Sequence, residues 1–491
     1  MKSGKILSAV LAVLMCLTVL FGATACKEKT PNNPAQTSGG TGGTDGSSGT
    51  TPETKEFIDN LGEYNFGKET VNILSRSGKV NADLDASSDA SEPVSVAIYR
   101  RNRKIEDRFN VTLNFIPLDD DGALWQSTLL AENGSATGAY DFVLPDYWWG
   151  CEAGGYFLNL LDYNKIFDFD QPWWTPGWNE NCTIFGQMYS AVGSLSLDLI
   201  NNSNCMIFNL KVLNDFTLES PFKLVDDKQW TIDKVISMVK TVTSDLNSDG
   251  VIDADHDRIG SNYWMQSGRG LLTGFGVKYA TKTSDGAYEY SFYNDTFVEK
   301  FNKAYDYLNN TAGVVYELGD ALNGILSDRV LFLNDPLTRL SSLRDMDSDY
   351  GVVPYPMYDE AQGQYYTYNY GTYYAAVLNT SRAPEMSAVI LEALNAESYH
   401  TVKDTYFVET LKIRYGRDEV ADNPRMLDLI IDSIYFDFTF VNEASTNHIA
   451  QFFSNMICFK DPNLQSQYEA NAAGFQSALD TLFETYRRNL G

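Results

Sequence analysis

Between Thr70 and Trp149, short apolar runs of strand length alternate with stretches of helical periodicity, and this alternation restricts the fold more than any other feature. Val71-Asn72-Ile73-Leu74 reads as a strand. Pro93 marks a helix start, and Val94, Ile98, Ile105 and Phe109 follow at helical spacing. Asn110 to Ile116 reads as a second strand, and a second helix carries Leu124, Trp125, Leu129 and Leu130. A third strand, Phe142-Val143-Leu144, stops at Pro145. Strands that alternate with helices predict an α/β fold with a mainly parallel sheet. In such sheets ligands sit outside the carboxyl ends of the strands. The third strand ends there in a carboxylate and three rings, Asp146, Tyr147, Trp148 and Trp149. Trp148 and Trp149 are adjacent, so they cannot both face one core.

At 491 residues the chain predicts two or three domains, or one fold with two lobes. Hydrophobic residues make up 44%, enough for a large core. The net charge of −28 disfavours nucleic acid and anionic lipid headgroups as partners. With only 3 His, a multi-His zinc site or a Ser-His-Asp hydrolase has little to draw on.

Lys2 and Lys5, the apolar run Ile6 to Phe21 and the small residues Ala23-Thr24-Ala25 form an export signal ahead of Cys26. This segment resembles the lipobox of bacterial lipoproteins, with Ala23 where that family usually has Leu. The resemblance implies lipidation of Cys26. Lys27 to about Glu56 is rich in Gly, Ser and Thr and predicts a flexible tether. Together they place the folded part at the outer face of a cell membrane. Cys151, Cys182, Cys205 and Cys458 remain, which allows free thiols or up to two disulfides in any of three pairings.

Asp245, Asn247 and Asp249 stand at positions 1, 3 and 5 of a cation-loop spacing, Gly250 at 6, the Val251 carbonyl at 7 and Asp253 at 9. His256 occupies position 12, where a bidentate acid is expected; Asp255 or Asp257 is the substitute. The spacing predicts structural Ca²⁺, against a plain solvated acidic turn.

The signal with Cys26, Tyr147-Trp148-Trp149, Pro172-Trp173-Trp174, Ala191-Val192-Gly193, Ile207-Phe208-Asn209, Trp230-Thr231 and the acidic loop occur in one order. In that order the chain resembles the extracellular solute-binding proteins of bacterial ABC transporters, in the sugar-binding family that includes maltose-binding protein. The resemblance implies a two-lobed periplasmic-binding-protein-like fold, with a ligand clamped between lobes and a chain that crosses the hinge more than once. The expected division is a signal peptide to residue 25, a tether over 26–56, lobe 1 from 57–190 and 351–425, and lobe 2 from 191–350 and 426–491. Pro354 and Pro356 read as a stiff hinge crossing, and the six tyrosines of Tyr365–Tyr374 as a strand shared between cleft and sheet.

The expected function is capture of a carbohydrate, an oligosaccharide, for delivery to a membrane permease by a monomer that breaks no bond. Candidate contacts are Asp146, Tyr147, Trp148, Trp149, Trp173, Trp174, Trp264 and Tyr370. Flat rings stack on sugars, and carboxylates and amides take their hydroxyls. A secreted glycosidase with its two carboxylates among the 65 acidic residues is the alternative, as is a polysaccharide-binding surface protein.

Overall fold

The computed structural model describes residues 59–151, 155–316, 322–408, 411 and 420–489. The expected signal, Cys26 and the tether lie outside them. Two sheets, each flanked by helices, organise the rest. The first has the order β11-β3-β1-β2, from β1 (Glu69–Arg76), β2 (Val111–Leu118), β3 (Phe142–Leu144) and β11 (Ala376–Val377). The second has the order β10-β4-β9-β5-β8, from β4 (Asn204–Asn209), β5 (Ile259–Tyr263), β8 (Val314–Tyr316), β9 (Val330–Pro336) and β10 (Tyr350–Val353). A hairpin, β6 (Ala280–Lys282) with β7 (Tyr288–Tyr290), stands apart.

In lobe 1, β1 pairs in parallel with β2 and β3, and β11 joins antiparallel. Lobe 2 is more mixed than the expected mainly parallel sheet. β5 is parallel to β8 and β9, whereas β4 is antiparallel to both β9 and β10. Helix crossovers impose parallel pairing, but β4 enters lobe 2 from the hinge. The central strands are buried on both faces and read as near-continuous apolar runs.

Helix α1 (Pro93–Phe109) turns Ile98, Ile105 and Phe109 inward and ends at Asn110, whose left-handed φ of 52° lets its N–H reach the Glu106 carbonyl. Later helices include α2 (Gly122–Ser135), α3 (Ser267–Gly274), α4 (Pro384–Glu397), α5 (Asn423–Asp432), α6 (Ile449–Cys458) and α7 (Leu464–Asn489). From Met386 to Glu397 every residue of α4 is buried. α7 buries Leu464 and Phe475 in the lobe 2 core and Leu479, Leu482 and Phe483 in the lobe 1 core, so it ties the lobes together.

Three segments cross between the lobes side by side, held by isolated bridges Ala191↔Ala375, Ser203↔Asn369 and Thr367↔Ile434. The second crossing therefore lies at about 366–375, not at 351. β10, Tyr355 and Met357 still belong to lobe 2. Likewise α5 packs with lobe 2, and the chain returns to the lobe 1 core at Phe436 and Phe438. Cys151, Cys182, Cys205 and Cys458 are buried and form no disulfide among the described residues. Among the described residues no helix is long and apolar enough to cross a membrane.

Candidate ligand cleft between the lobes

The cleft is built where β1 and β3 end. Arg76, the last residue of β1, reaches three segments. Its Nη1 lies 2.6 Å from Asp146 Oδ2 and 3.8 Å from Asp198 Oδ2, and its Nη2 lies 3.1 Å from Asp120 Oδ2. Its guanidinium also covers the Trp149 ring at 5.2 Å. Lys79 Nζ meets Asp198 Oδ1 at 2.5 Å. Burial pushes the Asp146 carboxyl up to about 6 against the pull of Arg76.

After β3, Asp146 caps a single helical turn, Tyr147–Trp149, by accepting the Trp148 N–H at 3.0 Å. Gly150 closes the turn at φ 64°, and a Cβ there would come within 2.6 Å of that of Ala444. This turn aims Trp148 at the hinge, where its Nε1 donates to the Tyr370 carbonyl at 2.7 Å. The same indole lies 5.0 Å from the Arg269 guanidinium of α3 in lobe 2. Tyr370, on the second crossing, meets Trp264 edge to face at 5.3 Å.

Five of the eight candidate contacts thus converge: Asp146, Trp148, Trp149, Trp264 and Tyr370. Tyr147 is buried, stacked on Trp148 and edge-on to Trp178, so it backs the wall instead of lining it. Trp173 and Trp174 do not join the group. Both are buried in the lobe 1 core, and their indole N–H groups donate to the two oxygens of Glu392 at 3.0 and 2.9 Å. Sequence reasoning missed Arg76, Lys79, Asp198 and Arg269. The available signal was position: Arg76 is the cation that ends a largely buried strand, and Arg269 sits in a helix of small and apolar residues. Three buried polar atoms of the cluster, Arg76 Nε, Asp198 Oδ2 and Trp264 Nε1, have no hydrogen-bond partner among the described residues. Native structures leave few such groups, and their grouping here suits a polar ligand.

Glu392 gives a pH test of the lobe 1 core. Burial raises its carboxyl from 4.5 to about 8, although both indoles favour the charged form. A carboxyl raised on folding stabilises fully below its unfolded value, and that contribution is lost as pH rises through about 8. The stability difference between wild type and Glu392→Gln should therefore shift against the wild type from pH 5 to 9, read by urea denaturation; parallel curves would disprove it.

In the acidic loop, Asp245 accepts from the Ser248 and Gly250 N–H groups at 2.6 and 2.9 Å, and Asn247 from Asp249 at 3.0 Å. Asp249 accepts from Val251 at 2.8 Å, and Asp253 from Asp255 and His256 at 2.9 and 2.8 Å. The side chains cap their own turn, with Gly250 at φ 84° as the spacing requires. Among the described residues no three His, Cys, Asp or Glu side chains group to hold a metal. The oxygens are of the kind a hard cation takes, and each carboxylate retains lone pairs beyond these bonds.

No protein-family model matches the chain, and no curated protein sequence matches it. Solved structures do. An ABC substrate-binding protein from Listeria monocytogenes in complex with cycloalternan superposes with a TM-score of 0.52 at 12% identity, over 85% of this chain and 99% of that one. The cyclic alpha-maltosyl-1,6-maltose binding protein from Arthrobacter globiformis gives 0.52 at 15% identity, over 85% and 98%. UgpB from Mycobacterium tuberculosis in complex with glycerophosphocholine gives 0.53 at 14% identity, over 80% and 99%. The chain therefore has the two-lobed α/β fold of ABC-transporter solute-binding proteins.

Proposed function

We propose that this protein captures an oligosaccharide between its lobes and hands it to the membrane permease of an ABC importer. The observation that carries this reading is the convergence of Trp148, Trp149, Trp264 and Tyr370 with Arg76, Lys79, Asp146 and Asp198 between two lobes joined by three crossings. Rings and paired charges with unpartnered polar atoms suit a neutral polyol that stacks and accepts hydrogen bonds. Lobe closure excludes water and gives the permease a shape to distinguish from the empty protein. Similar folds in complex with cycloalternan and built to bind cyclic maltosyl-maltose support the ligand class.

Calorimetry with cycloalternan and maltotetraose tests it. Saturable binding without product release is expected, and at a hundredfold excess over Kd the bound form gains about 2.7 kcal/mol. Steady hydrolysis would instead establish a glycosidase, and no binding across a glycan array would remove the carbohydrate.

Two further parts of the reading rest on spacing and resemblance. Cys26 carries the lipid that holds the protein at the outer face of the membrane; Cys26→Ser should move it from the membrane fraction to the medium. The loop of Asp245, Asn247, Asp249, Val251, Asp253 and Asp255 takes structural Ca²⁺, which screens clustered carboxylates. Added Ca²⁺ should raise the melting temperature and EDTA lower it; identical curves, with no metal by mass spectrometry, would refute the site.

A further inference from the structure

Beside the hinge lies a cavity of about 250 Å³ whose walls come from both lobes. Trp173 and Trp174 face it from lobe 1, Leu199 and Ile200 from the first crossing, Ile431 from the end of α5 in lobe 2, and Ile434 from the third crossing. Lys403, at the end of the helical segment that follows α4, also lines it. The Lys403 ammonium makes no ion pair among the described residues and lies over the Tyr399 ring at 4.4 Å. Burial pulls its pKa down, and Asp404 and Asp432, both exposed, only partly oppose this. A half-buried cation thus stands, with no ion pair among the described residues, at a chamber whose wall is aromatic and aliphatic on one side and polar at Ser194, Ser196 and the exposed Asp432.

We propose that this hinge cavity is a second ligand site, for a small single-ring carboxylate. Size supports the ring. An apolar cavity of about 150 Å³ already holds benzene, so the larger volume here admits a ring with one substituent. The indoles and branched side chains supply its apolar walls. Lys403 supplies the one charge-assisted contact that selects an anion over a neutral analogue. None of the cleft residues lines this cavity. Its walls belong to both lobes, so an occupant fixes their spacing and biases the equilibrium between open and closed forms.

Calorimetric titration of the full chain with benzoate tests the site, with benzyl alcohol as the uncharged comparison. Saturable benzoate binding is expected, weakened about tenfold by Lys403→Met. Leu199→Trp, at a half-buried position that can fill the chamber, should abolish it; Ile434→Phe serves the same purpose should Leu199→Trp fail to fold. Trp264→Ala, in the cleft, should leave benzoate binding unchanged. The site is overturned by absence of saturable binding, by binding that both chamber variants leave intact, by loss of binding in Trp264→Ala, or by equal affinity for benzyl alcohol.

Discussion

Replacing Arg269 with Met should destabilise lobe 2 by about 3–5 kcal/mol, the usual cost of removing one partner from a buried ion pair. The Arg269 and Glu443 side chains are both fully buried and hydrogen-bonded to each other. The guanidinium also lies against three rings, 4.3 Å from Phe440, 5.0 Å from Trp148 and 5.2 Å from Tyr368. Methionine fills much of the volume but removes the charge. Among the described residues the Glu443 carboxylate then has no basic group against it except the His448 imidazole, whose Nδ1 lies 3.5 Å from Oε1 and which is half exposed. Coulomb attraction to an exposed imidazole cannot offset full burial of a carboxylate. Arg269→Met combined with Glu443→Gln removes both charges and should recover most of the loss. Urea denaturation of the two variants decides the matter. A single variant within 1 kcal/mol of wild type, or a double variant no better than the single, would show that the pair is not the source of stability.

How far this arrangement was legible in the sequence depends on the range of the interactions involved. β1, β2, β3 and the helices between them follow from local periodicity, and their ends place Asp146, Trp148 and Trp149 at the sheet's carboxyl edge. The partner of Trp173 and Trp174 is Glu392, more than two hundred positions along the chain, and no local pattern connects them. A pair of adjacent tryptophans after a proline therefore reads the same way in a cleft and in a core. The hinge was displaced for a related reason. Pro354 and Pro356 stiffen the chain, but here the Pro354 carbonyl accepts the Trp230 indole N–H at 2.9 Å, and Tyr355 packs against Gly270 and Gly274 inside lobe 2. The tyrosine run that follows is the true crossing. Tyr365 and Tyr368 are buried in lobe 2, Tyr373 and Tyr374 in lobe 1, and Tyr370 stands half-buried between them. Alternation shows which residues share a face; it does not show which body the face belongs to. Asn334 and Asp335 extend β9, where the Asn334 amide donates to Ser261 Oγ and the Asn262 carbonyl on β5 at 2.8 and 2.7 Å.

Trp264→Ala should weaken oligosaccharide binding by at least 2 kcal/mol, about thirtyfold, while leaving the melting temperature nearly unchanged. The two expectations come from the same observation. Trp264 is half-buried, its ring meets Tyr370 edge-on, and its indole N–H is buried without a partner. An unmade hydrogen bond of this kind costs the empty protein about 1–3 kcal/mol. Truncation removes that cost along with the ring contacts, so the two effects on stability oppose each other. In the complex they add: a ligand hydroxyl accepts the indole N–H, and the ring supplies a stacking face beside Tyr370. Trp264→Phe separates the terms, because it retains an aromatic face and removes the donor. It should lose roughly the 0.5–1.5 kcal/mol of a neutral hydrogen bond and no more. A Phe variant as weak as the Ala variant would assign the whole effect to the N–H. Unchanged affinity in both would place the ligand elsewhere in the cleft, against Trp149 and Arg76 on the lobe 1 side.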